Sequence, residues 1–336
     1  MVRARCDPRG AVEAVMSDPD GEGERGTMGG RHRAVRDPKR WTTLLKTSRR
    51  ASSAGASSYG HIAITGAAGA IGGAVARVMR AAWPGCELAL IDRDGAALAR
   101  LATELGTRGD RGPLDRPGNG ADRGGSGAHG EATVHVADLR DLDALPALVE
   151  TIEHAGPLDG LVNCAGVMKV QHVSTWNWSD AHDLLAIDLL APLRLQDLVV
   201  RGMRDRGRGV IVNVASMAGR VPLRGAAYYG ASKAGLAMAS EIARADLAPH
   251  NVRVVTVYPG PVKSALEAGA RADYGGGGLF GRFAPTGDPD ELARRILIAI
   301  AADQPRVIYP RLYRAGWAAT NLASWFALSY GPPPVA

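Results

Sequence analysis

Short, nearly continuous apolar runs alternate along this chain with longer stretches in which apolar residues recur every three or four positions. The first pattern predicts buried strands and the second amphipathic helices. His61–Thr65 is the first strand, and an Ala/Val-rich helix follows it to about Ala82. Further strands are predicted at 87–91, 133–136, 158–162, 210–215, 251–257 and 306–309. Helices are predicted at 96–105, 142–154, 179–204, 228–250 and 290–302, the fourth-strand crossover helix starting from Ser179-Asp180 as its N-cap. Strand and helix alternate throughout, which predicts an α/β domain with a parallel sheet of about seven strands and helices on both faces.

The pattern fails in four places. Residues 1–58 lack either period and are rich in Arg, Gly, Ser and Asp, so they read as a disordered basic tail before a domain at 59–310. Residues 106–130 hold almost no large apolar side chain and read as a flexible surface insertion. Residues 263–287 are loose around Gly275-Gly276-Gly277-Gly278, and 311–336 form an apolar extension. From Ala315 to Ala336 there is no charge, and Trp317, Leu322, Trp325 and Phe326 fit one face of a short helix. That helix either packs over a cleft or a subunit partner, or lies in a membrane interface; packing is the favoured reading.

Composition narrows the class. The chain of 336 residues is 46% hydrophobic and 22% charged, a globular balance. Its net charge of +6 is concentrated at the start: residues 1–58 carry twelve Lys/Arg and seven Asp/Glu, a net of +5, leaving +1 for the rest. The basic character therefore belongs to the tail, read as a solvated extension and not as a nucleic-acid arm. Cys6, Cys86 and Cys164 are few and scattered, which points to a reducing compartment and a cytoplasmic protein. No metal-ligand spacing and no run of about 18 apolar residues is present, so neither a metal site nor a transmembrane helix is expected.

Two stretches carry chemistry. Gly66-Ala67-Ala68-Gly69-Ala70-Ile71-Gly72-Gly73 lies between a strand and a helix, the context of a Rossmann-type dinucleotide turn. There the glycines let backbone approach a pyrophosphate at a helix N-terminus. Asp92, at the end of the second strand and twenty residues after Gly72, suits an adenosine ribose 2′-OH and so NAD; the adjacent Arg93 suits a 2′-phosphate and so NADP. The second stretch is Tyr229-Gly230-Ala231-Ser232-Lys233. Residues four apart share a helix face, so the ammonium lies near the phenol and is expected to lower its pKa. Ser216, at the end of the strand 210–215, could hydrogen-bond a substrate oxygen beside Tyr229.

With Ser216, Tyr229 and Lys233 at this spacing, the chain resembles the short-chain dehydrogenase/reductase family, in its single-domain branch. The likeness runs from about Gly60 to Tyr309. It implies that Tyr229 is the general acid/base, that Lys233 also holds the nicotinamide ribose, and that Ser216 polarises the substrate oxygen. It implies that Asp138 and Leu139 meet the adenine, and that Asn163, Ala165 and Gly166 of Asn163-Cys164-Ala165-Gly166 support the sheet and line the cofactor cleft. In Pro259-Gly260-Pro261-Val262-Lys263-Ser264 it assigns the carboxamide contact to the Val262 N–H, assisted by the Ser264 hydroxyl. In relatives 263–287 is the substrate lid. Two positions depart from the family pattern. The relay Asn of the long helix is here Asp188, whose charge would oppose the lowering of the Tyr229 pKa. The middle glycine of the turn is Ala70, between Gly66 or Gly69 and Ile71-Gly72.

The expected activity is reversible hydride transfer between NAD, with NADP as the alternative, and a small-molecule alcohol or ketone. Val167, Met168, Trp176, Trp178, Leu223 and Tyr258 suggest an apolar pocket. A nucleotide-binding regulator with little turnover is the alternative, opposed by the complete Ser216/Tyr229/Lys233 set. The helices 179–204 and 228–249 resemble those that pair subunits in relatives, which implies a homodimer or homotetramer.

Overall fold

A computed structural model describes residues 59–106, 130–274 and 285–331. The tail 1–58, most of the insertion 106–130, the four-glycine centre of the loose stretch and the last five residues lie outside the described residues.

The expected seven strands form one parallel sheet: β1 His61–Thr65, β2 Glu87–Asp92, β3 Ala132–Val136, β4 Gly160–Asn163, β5 Gly209–Val214, β6 Val252–Pro259 and β7 Arg306–Tyr309. Their order is β3-β2-β1-β4-β5-β6-β7. β1 lies parallel to both β2 and β4, so the order reverses there, and the crevice beyond the strand C-termini opens at that switch point. Side chains alternate across the pleat. Ile62 and Ile64 of β1 pack into one core with Leu88, Leu90, Val212 and Val255, whereas Ala63 joins the opposite core with Ala89, Ile91, Leu161 and Ile211. Both faces are covered, which is why these strands read as continuous apolar runs and not as alternating ones.

The helices are α1 Ala70–Ala82, α2 Gly95–Leu105, α3 Leu145–Glu153, α4 Trp178–Leu185, α5 Ala191–Asp205, α6 Ala227–Leu247, α7 Ala265–Asp273, α8 Pro289–Ala301, α9 Tyr313–Ala318 and α10 Thr320–Tyr330. Met79 of α1 and Ile296 and Ile300 of α8 fill the first core; Leu145 and Ile152 of α3 and Leu195 and Met203 of α5 fill the second.

Three sequence expectations are corrected. The helix expected over 179–204 is interrupted: Ala186–Leu190 is a π-helical segment between α4 and α5. Pro192 supplies the cause, because it has no N–H for the Asp188 carbonyl four residues back and its ring crowds that carbonyl. The N-cap of α4 is Asn177, whose side chain accepts the Ser179 N–H, and not Ser179-Asp180. The stretch 263–287 is not uniformly loose, since Ser264 accepts the Glu267 N–H at 3.1 Å and starts α7 within it.

Candidate active site

The site is built where strands end. Gly66 follows β1 at φ +67°, a left-handed conformation, and a Cβ there would lie 2.6 Å from the Ala165 backbone N. A Cβ on Gly72 would lie 2.2 Å from the Gly66 carbonyl O. Glycine at both positions lets the turn fold tightly against the loop after β4. Gly69 is the N-cap of α1, with no side chain to occupy the orphan N–H groups of the first turn, Ala70, Ile71 and Gly72. Asp92 braces this turn: its Oδ2 accepts the Ala68 N–H at 3.1 Å and its Oδ1 accepts the Asp94 N–H at 3.2 Å. Thr65 Oγ1 accepts the N–H groups of Cys164 and Ala165 at 3.1 and 3.2 Å, fixing the facing loop. We expect Gly66→Ala to cost at least about 1–2 kcal/mol of stability from the left-handed backbone alone, and to abolish nucleotide binding. Thermal unfolding in the presence and absence of NADH reads both effects.

A cleft of about 1260 Å³ opens between this turn and the second group of residues. Its walls contain every cofactor or catalytic position expected from sequence except two: Gly66, Gly69, Ala70, Ile71, Gly72, Asp92, Arg93, Asp138, Leu139, Ala165, Gly166, Ser216, Tyr229, Lys233, Pro259, Gly260, Val262 and Ser264. Asn163 is the first exception. Its Nδ2 donates to Asn213 Oδ1 at 2.8 Å and to the Pro192 carbonyl at 3.3 Å, so the amide nitrogen is turned into the protein. Asn213 in turn donates to Ser240 Oγ at 2.8 Å, a buried polar chain across β4, β5 and α6. Sequence reasoning missed Asn213; the signal was an Asn in the otherwise apolar run Val210–Val214.

Asp188 is the second exception. It is fully buried behind Lys233, with Oδ2 at 3.5 Å from Nζ and Oδ1 accepting the Val167 N–H at 2.8 Å. Asp188 lies within the π segment Ala186–Leu190. Burial, opposed by the Lys233 cation, pushes the Asp188 carboxyl above the usual carboxylate range. Lys233 Nζ also donates to the Val214 carbonyl at 3.4 Å and lies 5.8 Å from the Tyr229 ring centroid. Gly166 makes room for it: a Cβ there would be 3.2 Å from Nζ.

Tyr229 and Ser216 are both buried on the cleft wall, and Ser216 Oγ donates to the Pro259 carbonyl at 3.5 Å. Ser216 Oγ also caps a single 3-10 turn by accepting the Ala218 N–H at 3.0 Å. The expectation of a lowered phenol pKa is overturned. Burial raises it above the ordinary value; Lys233 pulls it down, Asp188 pushes it up, and the nearby Ser216 hydroxyl lowers it. The cation acts in the expected direction but is smaller than desolvation. Cys164 borders the cleft as a thiol, pushed up to about 12 by burial. Asp138 is held below the usual carboxylate range by its hydrogen bonds from Arg140, and Arg140 also reaches Asp183 at 3.0 Å. Ser264, expected to assist a carboxamide, donates to the Val262 carbonyl at 3.1 Å and caps α7.

The apolar pocket is corrected in part. Val167, Met168 and Leu223 line the cleft. Trp176 and Trp178 pack edge-on against Tyr228, and Tyr258 is buried 4.5 Å from Trp317 with its hydroxyl on Glu241, so these three are not on its walls. In their place stand Leu312 and, from the C-terminal helices, Tyr313, Ala323, Phe326 and Ala327; sequence predicted one short helix bearing Trp317, Leu322, Trp325 and Phe326 there. Residues of both helices border the cleft. Among the described residues, no helix is long and apolar enough to cross a membrane.

A Rossmann-type sheet whose switch-point cleft carries a glycine turn on one side and Ser216, Tyr229 and Lys233 on the other defines a nucleotide-dependent oxidoreductase class. Residues 123–275 match the short chain dehydrogenase family. The chain is 32% identical over 249 residues to D-threitol dehydrogenase of Mycolicibacterium smegmatis, covering 73% of this chain and 86% of that protein. It is also similar to a metagenomic short-chain oxidoreductase solved in complex with NADP, with 30% identity, TM-score 0.56, and coverage of 75% of this chain and 98% of the other. A short-chain dehydrogenase from Sphingobium yanoikuyae in complex with NADPH has 26% identity and TM-score 0.61, covering 82% of this chain and 98% of the other. This chain belongs to the short-chain dehydrogenase family of oxidoreductases.

Proposed function

We propose that the protein is an NAD(P)-dependent oxidoreductase that interconverts an apolar alcohol and its ketone. The observation that carries this reading is the convergence of Ser216, Tyr229 and Lys233 on one wall of a cleft whose other wall is the glycine turn. The cleft fits a dinucleotide: the turn offers unpaired helix N–H groups to a pyrophosphate, and Gly66 and Gly72 let it fold tightly enough to present them. Gly66, Gly69, Ala70, Ile71 and Gly72 would hold the phosphates, Asp92 or Arg93 the ribose, and Lys233 the nicotinamide ribose. The bound nicotinamide supplies or accepts a hydride.

The remaining work falls to the chain. Ser216 Oγ donates a hydrogen bond to the substrate oxygen and fixes it beside Tyr229. Tyr229 gives that oxygen a proton in reduction and takes one in oxidation. Lys233 stabilises the phenolate that results. Asp188 positions Lys233 from behind, in place of an asparagine.

NAD is the cofactor we assign, because Asp92 presents a carboxylate at the end of β2. The relatives solved with NADP and NADPH make Arg93 the competing determinant. Asp92→Ser should shift the ratio of NADH to NADPH affinity toward NADPH by more than tenfold, about 1.4 kcal/mol, which paired fluorescence titrations measure. An unchanged ratio would remove Asp92 from cofactor selection. Turnover itself is tested by following reduced nicotinamide at neutral to alkaline pH with NAD and a panel of apolar secondary alcohols. No reduction of NAD or NADP by any alcohol, and no oxidation of NADH or NADPH by the matching ketones, would favour the regulatory alternative.

Exposed Met238 and Ile242 on α6 and Leu190 beside α5 leave apolar surface on the helices expected to pair subunits. We propose a homodimer or homotetramer built on them, with no nucleic-acid partner. Cys86 and Cys164 are free thiols, and we place the protein in the cytoplasm.

A further inference from the structure

Helix α10 is built inside out. The side it turns toward the protein carries small residues, Thr320, Ala323, Ser324, Ala327 and then Gly331, all partly covered. The side it turns to water carries Leu322, Trp325 and Leu328, at 66%, 57% and 52% exposed. Surface helices ordinarily show the reverse arrangement. Leu312, just before α9, is 69% exposed beside them, and Trp325 and Phe326 both pack on Tyr330. This is a contiguous apolar and aromatic surface of the kind that soluble proteins cover.

Charge decides what covers it. No acidic residue occurs after Asp303, and Arg306, Arg311 and Arg314 lie between it and the uncharged segment Ala315–Ala336. Arg311 and Arg314 are exposed, and Arg224 joins the same edge by donating to the Gly331 carbonyl at 3.3 Å. With Arg306 paired to Glu241, Arg311 and Arg314 are the exposed cations at this end of the chain, and an apolar, Trp- and Tyr-bearing helix face beside them matches the interface of an anionic bilayer. Phe326 and Ala327 of α10, with Leu312, line the same cleft as Tyr229.

We propose that α9 and α10 dock the protein on an anionic lipid surface and admit a membrane-dissolved alcohol or ketone directly into the cleft. The choice of substrate rests on the oxidoreductase reading; the docking does not. The full chain should sediment with phosphatidylcholine vesicles containing phosphatidylglycerol, bind phosphatidylcholine alone weakly, and release as salt is raised. Leu322→Glu with Trp325→Glu should lower vesicle affinity by roughly tenfold or more, with NADH binding retained as the check on folding. Should that variant fail to fold, Arg311→Gln with Arg314→Gln must lower affinity for the anionic vesicles. No sedimentation of the wild type would overturn the proposal. So would binding retained by both variants, which would place it elsewhere in the chain, such as the basic residues 1–58. A Leu322/Trp325 variant that changes the sedimentation coefficient without lipid, while vesicle binding is unaffected, would make this face a contact between copies. Vesicle binding with no turnover on any alcohol would preserve the docking and remove only the substrate.

Discussion

Tyr229→Phe is expected to lower kcat by about 10²- to 10⁴-fold, while NADH affinity stays close to that of the wild type. The phenol is buried on the wall of the cleft that Ser216 also lines, with the Lys233 ammonium 5.8 Å from its ring, so it is the group placed to exchange a proton with a substrate oxygen. Phenylalanine keeps the ring and its packing against Leu184 and Ala226 and removes only the hydroxyl. Folding and the glycine turn on the opposite wall should be unaffected. Because burial holds the phenol above its ordinary value, alcohol oxidation, which needs the phenolate, should gain rate as pH rises. Steady-state rates across pH, beside fluorescence titration of the variant, read both parts. Turnover within a few-fold of the wild type would remove Tyr229 from the proton transfer.

Lys233→Met is expected to cost both turnover and stability. Asp188 is fully buried, and its Oδ2 has the ammonium 3.5 Å away as its charge partner. Removing one partner of a buried ion pair typically costs about 3–5 kcal/mol. The carboxyl can escape part of this by keeping its proton, since burial already raises its pKa. The sign follows from linkage. A carboxyl with a folded pKa above its unfolded value binds more protons folded than unfolded, so stability is highest at acid pH. It falls as pH rises from the unfolded carboxylate value to the folded one. The variant's deficit should therefore be small in acid and grow toward neutral pH. Lys233→Met combined with Asp188→Asn should regain most of the stability, because an amide carries no charge to strand, and should regain none of the turnover. Denaturant unfolding at several pH values separates these outcomes. A deficit independent of pH and not relieved by Asp188→Asn would show that Asp188 and Lys233 are not coupled.

The sheet was legible because its strands are covered on both faces, so apolar runs such as Glu87–Ile91 and Val210–Ala215 stand out between periodic helices. The glycine turn and the Tyr229/Lys233 pair were legible because spacing alone fixes them: four residues on a helix, and three glycines between a strand and a helix. What sequence could not show depends on tertiary surroundings. Spacing gives the Lys233 cation near Tyr229 but not the desolvation that outweighs it. Asn163 stands at the strand end as expected, yet its direction is set by Asn213 and Pro192 on neighbouring elements. The π segment required seeing Pro192 as an interruption in a pattern otherwise periodic from 179 to 204. The C-terminal helices escaped because small residues face inward and large ones outward, so their pattern pointed to the wrong buried side.

We propose that the cleft between the glycine turn and Tyr229 binds a nicotinamide dinucleotide. The most direct test is titration of the purified full chain with NADH and NADPH, followed by nicotinamide fluorescence. Saturable binding of both is expected, with NADH the tighter, and loss of both signals in Gly66→Ala. Binding of neither would contradict it, whatever the family of the chain.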